Sequence, residues 1–198
     1  MIFQNRLEAA KMLAKQLKSY AGQNALVLGI PRGAVPMARH IADSLQADID
    51  VVLVHKLGHP ENPEYAVGAI DEQGHIYAEA GEYDQAEAEA QLKTLQERRK
   101  SYTAVRSRIS ATNRIVIIVD DGIATGWTVK AAVQSIRAEN PAKIIVASPV
   151  GSSESVSEIR AMADEIICLS EPELFQAVGQ FYAEFDQVTD EQVIEALS

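Results

Sequence analysis

Cysteine is nearly missing from this sequence: Cys168 stands alone, so no internal disulfide can form. It lies in the apolar run Ile166-Ile167-Cys168-Leu169 and reads as a small buried hydrophobe. Long apolar runs are missing too. None approaches the roughly 18–20 residues needed to cross a membrane, and Met1 to Glu8 lack the unbroken apolar stretch of a secretory signal. The expectation is a cytoplasmic protein without a membrane partner. Positive charge is in deficit, with a net charge of −10. Residues 1–150 are balanced at 17 bases and 17 acids, whereas residues 151–198 set 11 acids against Arg160 alone. Without a basic stripe to neutralise phosphates, nucleic acid is excluded as the expected partner. The acidic quarter reads as a solvated face. His55, His59 and His75 have no metal-ligand spacing, and no repeat, linker or low-complexity segment interrupts the chain.

What is present is ordinary for a globular protein: 198 residues, 47% hydrophobic and 23% charged, enough for one domain with a sizeable core. Phe3, Leu7, Ala10, Leu13, Leu17 and Tyr20 recur at helical spacing and predict an amphipathic helix over 3–20. Strands are predicted at 25–30, 49–54, 115–119, 143–147 and 165–169, and helices at 34–45, 84–108, 130–138, 154–163 and 190–197. Apolar strands alternating with helices imply a parallel sheet. Two prolines exclude regular structure from 57–65. Ala66–Asp71 and His75–Ala78 flank a hairpin turn at Glu72-Gln73-Gly74, and the aromatics of 175–185 should pack back onto the core.

One segment carries chemistry. Ile115 to Val119 is a β-branched strand that stops at Asp120-Asp121 and enters the small-residue turn Gly122-Ile123-Ala124-Thr125-Gly126-Trp127-Thr128 before a helix. Backbone N–H groups of the turn and the positive end of the helix dipole suit a phosphate. The carboxylates suit ribose hydroxyls and a divalent cation. A strand-end acid pair that binds Mg²⁺ alone, or merely caps a helix, is the competing reading. Gly29-Ile30-Pro31-Arg32-Gly33-Ala34 is a second strand-to-helix loop of the same kind. Gly33 permits close backbone approach and Arg32 offers a planar fork of donors. Lys56 follows the second strand and adds a charge to the same sheet edge. The basic end of the long helix (Arg98, Arg99, Arg106) could swing over an anion held at that edge, but a solvated helix face is the favoured reading.

Acid-acid-x-x-x-Thr-Gly-x-Thr after a strand resembles the phosphoribosyl-pyrophosphate (PRPP) motif of type I phosphoribosyltransferases. Pro31-Arg32-Gly33, Lys56-Leu57-Gly58, Pro63-Glu64, Gly68-Ala69 and Ala177 to Tyr182 with Phe185 extend the likeness to a bacterial group of unassigned acceptor. The resemblance implies an α/β type I phosphoribosyltransferase (Rossmann-like) fold with a mostly parallel sheet, a small hood and a long inserted helix. It implies one domain over 1–198, with a core at about 23–56 and 113–170 and hood or flexible segments at about 1–22, 57–112 and 171–198. It assigns Asp120, Asp121 and Arg32 to catalysis and Asp120 through Thr128 to PRPP. Pro31, Arg32, Gly33 and Lys56 go to pyrophosphate. Mg²⁺ is the implied cofactor, placed at Asp120 and Asp121 mostly through ribose hydroxyls or water. The partners implied are PRPP and a small-molecule base, and a homodimer is compatible. A PRPP- or nucleotide-sensing module and a hydrolase of phosphoribosyl compounds are the alternatives. Three residues depart from the pattern: His55 stands for an arginine, Ala34 for a glycine, and Trp127 for a small residue. Ala124 replaces the aspartate of hypoxanthine-guanine enzymes, which disfavours a 6-oxopurine acceptor.

Overall fold

The computed structural model describes residues 1–78 and 83–198. Residues 79–82, part of the expected 57–112 hood segment, lie outside the described residues. Five strands form a parallel sheet in the order β2-β1-β6-β7-β8: Asp48–Val51, Leu26–Gly29, Ile115–Val119, Lys143–Val150 and Glu165–Ser170. This is a doubly wound order in which the strand order reverses between β1 and β6, the place where such sheets open a crevice for ligands. Neighbouring strand residues face opposite ways. Val27, Ile117, Val119 and Ile145 pack towards α1 (Arg6–Gln16) and α2 (Val35–Leu45). Leu26, Leu28, Val116, Ile118 and Ile144 pack towards α4 (Trp127–Arg137) and α5 (Ser153–Arg160). Both sheet faces are therefore covered, which explains unbroken apolar strands in place of alternation.

A second, antiparallel sheet of β3 (Val54–His59), β4 (Asn62–Asp71) and β5 (Ile76–Ala78) sits beside α4. Here the expectation of irregular structure at 57–65 is overturned. Pro60 occupies the turn between β3 and β4. Pro63 falls where the ladder steps from His59↔Asn62 to Gly58↔Ala66, beyond the reach of β5, so its missing N–H costs no pairing. The strand predicted over 49–54 is split for the same reason: β2 ends at Val51, and Val54 already belongs to the second sheet. Lys56 consequently stands inside β3, not on a loop after the core strand. Asp71 organises the hairpin, accepting from the Gln73 and His75 N–H groups and from the Tyr77 hydroxyl.

The first helix is shorter than predicted. Asn5 caps it, accepting from the Glu8 N–H, and Leu7 is half exposed. Phe3 instead bridges to Tyr182, its N–H donating to the Phe181 carbonyl. The long helix α3 (Gln85–Thr103) stops before Arg106 and Arg108, because tertiary partners take over. Arg106 Nε donates to the Leu197 carbonyl, and the Ile109 N–H to Asp50. The segment Val178–Phe181 makes a 3-10 turn, and α6 (Asp190–Leu197) closes over α2 and α3 with Val193 and Leu197 buried.

Candidate active site

The helices of this structure begin with different provision for their first N–H groups. Asn5, Asp84, Ser152 and Thr189 cap α1, α3, α5 and α6 with side-chain oxygens. Helices α2 and α4 have no such cap. These two follow β1 and β6, so both uncapped N-termini open on the switch point of the sheet. Free first-turn N–H groups and the helix dipole suit the α4 end to an anion, whereas at α2 the Val35 N–H donates to the Arg32 carbonyl and Pro36 has no N–H, so that end offers fewer donors beside its dipole. Gly126, the residue before α4, takes a left-handed φ of 75°, which turns the loop sharply into the helix. The loop itself is anchored from behind: the Ile123 N–H donates to the Val150 carbonyl, and the Ser152 and Ser155 hydroxyls both donate to the Ala124 carbonyl. Residues Gly122 to Gly126 and Thr128 line the crevice, and the Ile123 N–H is the one loop donor seen bonded among the described residues.

Asp120 and Asp121 stand at the mouth of β6, both partly enclosed. Asp120 Oδ1 accepts the Asp121 N–H at 3.0 Å. Asp121 Oδ2 receives Nε and Nη2 of Arg6, each at 2.8 Å. The Arg6 guanidinium lies 3.8 Å from the Phe185 ring centroid and also donates to the Asp186 carbonyl. Phe185 stacks on Tyr182, whose hydroxyl donates to the Asp121 carbonyl at 2.7 Å. Desolvation pushes the Asp120 carboxyl well above the usual range, and the charge of Asp121 pushes it further. Desolvation also raises Asp121, against the lowering pull of Arg6.

Gly33 lies against this pair. A methyl group there would collide with Asp121 Oδ2 and come within 3.1 Å of Arg6 Nη2, so the two loops interlock only because the side chain is absent. Gly122 plays the same part towards Val178, where a Cβ would strike the valine side chain.

A cavity of about 290 Å³ runs along the phosphate-suited loop and is lined by Lys56, Asp120, Gly122, Thr125, Thr128 and Val178, among others. Its neighbour, also about 290 Å³, shares Pro31, Lys56 and Thr128 with it and adds Arg32, His55 and Arg98. Of the residues singled out in the sequence, Pro31, Arg32, Lys56, Asp120, the loop from Gly122 to Gly126 and Thr128 line these two adjoining cavities, whereas Asp121 lines neither and turns its carboxylate to Arg6. Gly33 meets Asp121 instead of lining either cavity, and Arg32 leans towards Asp190 with Nη1 3.6 Å from Oδ2. Trp127 opens α4 with its indole outside both cavities, and Lys130 Nζ lies 4.2 Å from the ring centroid. His55 turns its Nδ1 to the Lys56 carbonyl at 2.7 Å.

Sequence reading does not place Arg6, Tyr182 or Val178 in the site, and it favours a solvated face for Arg98. Arg6 meets Asp121 across 115 positions of chain, and no local pattern announces that. For Tyr182 and Val178 the signals are the aromatic run at 175–185, which points to the core, and the family likeness of Ala177 to Tyr182, which names no role.

A family model described as "Phosphoribosyl transferase domain" matches residues 1–186. A provisionally named phosphoribosyl transferase of Mycobacterium tuberculosis, Rv0571c, is 43% identical over 203 residues, covering 98% of this chain and 46% of that protein. The chain therefore spans about half the length of the curated relatives it matches. The crystal structure of TT1426 from Thermus thermophilus is 40% identical with a TM-score of 0.86, covering 100% of this chain and 98% of that one. APRTase from Giardia lamblia, complexed with 9-deazaadenine, shares the fold at 11% identity and a TM-score of 0.52, over 85% of this chain and 80% of its own.

Proposed function

Because the chain belongs to the phosphoribosyl transferase domain family, we propose that it transfers the 5-phosphoribosyl group of PRPP to a nitrogenous base with release of pyrophosphate. The observation that carries this reading is the pairing of two uncapped helix N-termini about one carboxylate pair at the switch point. A substrate with a phosphate at each end and a diol between them matches that order of groups.

In this reading the N–H groups of Gly122 to Thr128 and the hydroxyls of Thr125 and Thr128 hold the 5′-phosphate. Asp120 and Asp121 accept from the ribose hydroxyls. Pro31, Arg32, Gly33 and Lys56 serve the pyrophosphate end. Charge-assisted hydrogen bonds contribute about 1.5–3 kcal/mol each, so several together fix the sugar in place. The C1′–oxygen bond to pyrophosphate breaks as a ring nitrogen bonds to C1′, and the nitrogen gives up its proton. Positive charge develops on the ribose and negative charge on the leaving group. Asp120 and Asp121 stabilise the first by proximity, Arg32 and Lys56 the second by preorganised electrostatics.

Mg²⁺ fits as a passenger of the substrate. One oxygen of each aspartate is already engaged, and the described residues hold no cluster of three or more metal-ligating side chains. Two free carboxylate oxygens with substrate phosphates and water suit Mg²⁺, which seldom uses an all-protein cage. When bound there, it would supply charge neutralisation at the departing oxygens.

Calorimetric titration of PRPP with Mg²⁺, with a panel of nucleobases and pyrophosphate release followed in parallel, tests the proposal. Binding with base-dependent release is expected. Binding without release on any base would replace the transferase with a sensing module, and phosphate or pyrophosphate released without a base would replace it with a hydrolase. No binding would remove the site assignment.

A further inference from the structure

Arg98 and Arg99 are adjacent on α3 and meet opposite fates. Arg99 is spent. It forms a two-pronged pair with Glu72 at 2.6 and 2.8 Å and also donates to Asp50 and to the Val51 carbonyl. That set of bonds ties α3 to the end of β2 and to the hairpin, and fixes where the helix lies over the cleft. The Arg98 side chain, one position back, makes no hydrogen bond among the described residues. Its nearest carboxylate is Asp190, with Nε 4.0 Å from Oδ1, which is too far for a hydrogen bond.

Arg32 is held in the same loose way, 3.6 Å from the other oxygen of Asp190. Asp190 itself is fixed by the Tyr102 hydroxyl at 2.7 Å. Two guanidinium groups, one from the β1 loop and one from α3, therefore lean on a single anchored carboxylate with their donors unspent. Both line the cavity that also holds Lys56 and His55. No carboxylate is among the described residues lining it. Three fixed cations facing one recess call for a ligand with several negative charges close together.

We propose that Arg98 is a pyrophosphate-binding residue, a second planar donor fork opposite Arg32, and that Asp190 parks both guanidinium groups until the anion arrives. This rests on the PRPP reading and extends it to a helix outside the sheet core. A diphosphate presents oxygens to both forks at once, and it displaces a carboxylate that neither fork hydrogen-bonds. Because the Arg98 side chain contributes no hydrogen bond to the described fold, its removal should leave the structure in place.

The test separates the two ends of the substrate. Inorganic pyrophosphate and ribose 5-phosphate, each with Mg²⁺, are titrated into the wild-type protein, Arg98→Ala and Arg98→Lys. The expected result is a loss of about tenfold or more in pyrophosphate affinity for Arg98→Ala, the worth of one charge-assisted contact. Ribose 5-phosphate affinity should stay within about twofold of wild type, since its contacts lie elsewhere. Arg98→Lys should recover part of the loss, because the charge remains and the fork does not. Pyrophosphate affinity unchanged in Arg98→Ala overturns this inference and leaves the PRPP reading standing. Parallel loss of both ligands in Arg98→Ala also overturns it, marking a structural role. A wild-type protein that binds neither ligand removes both.

Discussion

Arg6 gives Asp121 a counter-ion before any substrate is present, and it does so from a helix that reads as mere packing. Both side chains are largely enclosed, at 16% and 18% exposure. Removing one partner therefore leaves a poorly hydrated charge behind. Arg6→Ala should cost about 2 kcal/mol, between an exposed pair and a fully buried one. It should also raise the proton affinity of Asp121 further, since Arg6 is what lowers it. PRPP binding by the variant should weaken at neutral pH and recover towards alkaline pH, where the carboxylate ionises. Calorimetry across pH reads this directly, and a binding profile parallel to wild type would show that Asp121 does not depend on Arg6.

Asp120 has no ion pair among the described residues. Asp120→Asn keeps the acceptor for the Asp121 N–H and removes a carboxylate whose ionisation is disfavoured by desolvation, so it should raise Tm at neutral pH. The same change should abolish PRPP binding. A stabilised variant that still binds would free Asp120 from the site. The acids were legible in the sequence because they are contiguous with a strand and a Gly/Thr turn. Their environment was not, because it is assembled from residues 6, 178, 182 and 185.

At the scale of elements, the loops after β1 and β6 work as one body. Gly33 has no side chain where Asp121 passes, so Gly33→Ala must displace that carboxylate or the Arg6 fork behind it. Overpacking of this kind costs about 1–3 kcal/mol. The expected phenotype is a lowered Tm together with ribose 5-phosphate binding weakened by about tenfold or more, the worth of one displaced charge-assisted contact, measured by scanning calorimetry and titration. Wild-type affinity would mean the loops move apart freely. Each loop could be read from the sequence as suited to an anion, because the signal of strand, small residues and helix is local. That they touch could not, since 88 positions separate Gly33 from Asp121. The hairpin of β3 and β4 failed for a related reason. Pro60 and Pro63 are breakers by residue type, yet one lies in the turn and the other in a bulge between paired positions. Register decides what a proline costs, and register is a tertiary property.

Across the whole molecule, four of the eleven acids in the last 48 residues meet bases from the first 150. Glu158 pairs with Lys130, Asp164 with Arg137, Glu165 with Lys143, and Asp190 leans on Arg32, so acids of the final quarter meet bases of the balanced part. Nine of the eleven acids are exposed, so the acidic face read from composition stays solvated, with these inter-element pairs set into it. These pairs and the active-site acids respond to pH in opposite directions. The Ile144 N–H bond, and then Arg137, lower the Asp164 carboxyl, and bonds from Lys143 and Tyr20 lower Glu165. Their contribution to stability is complete above the ordinary carboxylate range and is lost as pH falls through their depressed values. Both are more than a third exposed, so each contribution is small and screened. Asp120 behaves inversely. Its proton affinity is raised in the folded state, so its ionisation costs stability at neutral pH and that cost is relieved on acidification. In the wild-type protein the relief at Asp120 comes first, as pH falls through its raised value towards the ordinary carboxylate range, and the loss from the pairs follows below that range. Asp120→Asn removes only the relieving part. Its Tm should start higher than wild type at neutral pH and fall more steeply, so that the two curves converge in acid. Parallel curves would place Asp120 in an ordinary, hydrated carboxylate environment, and with it remove the electrostatic case for an enclosed sugar site.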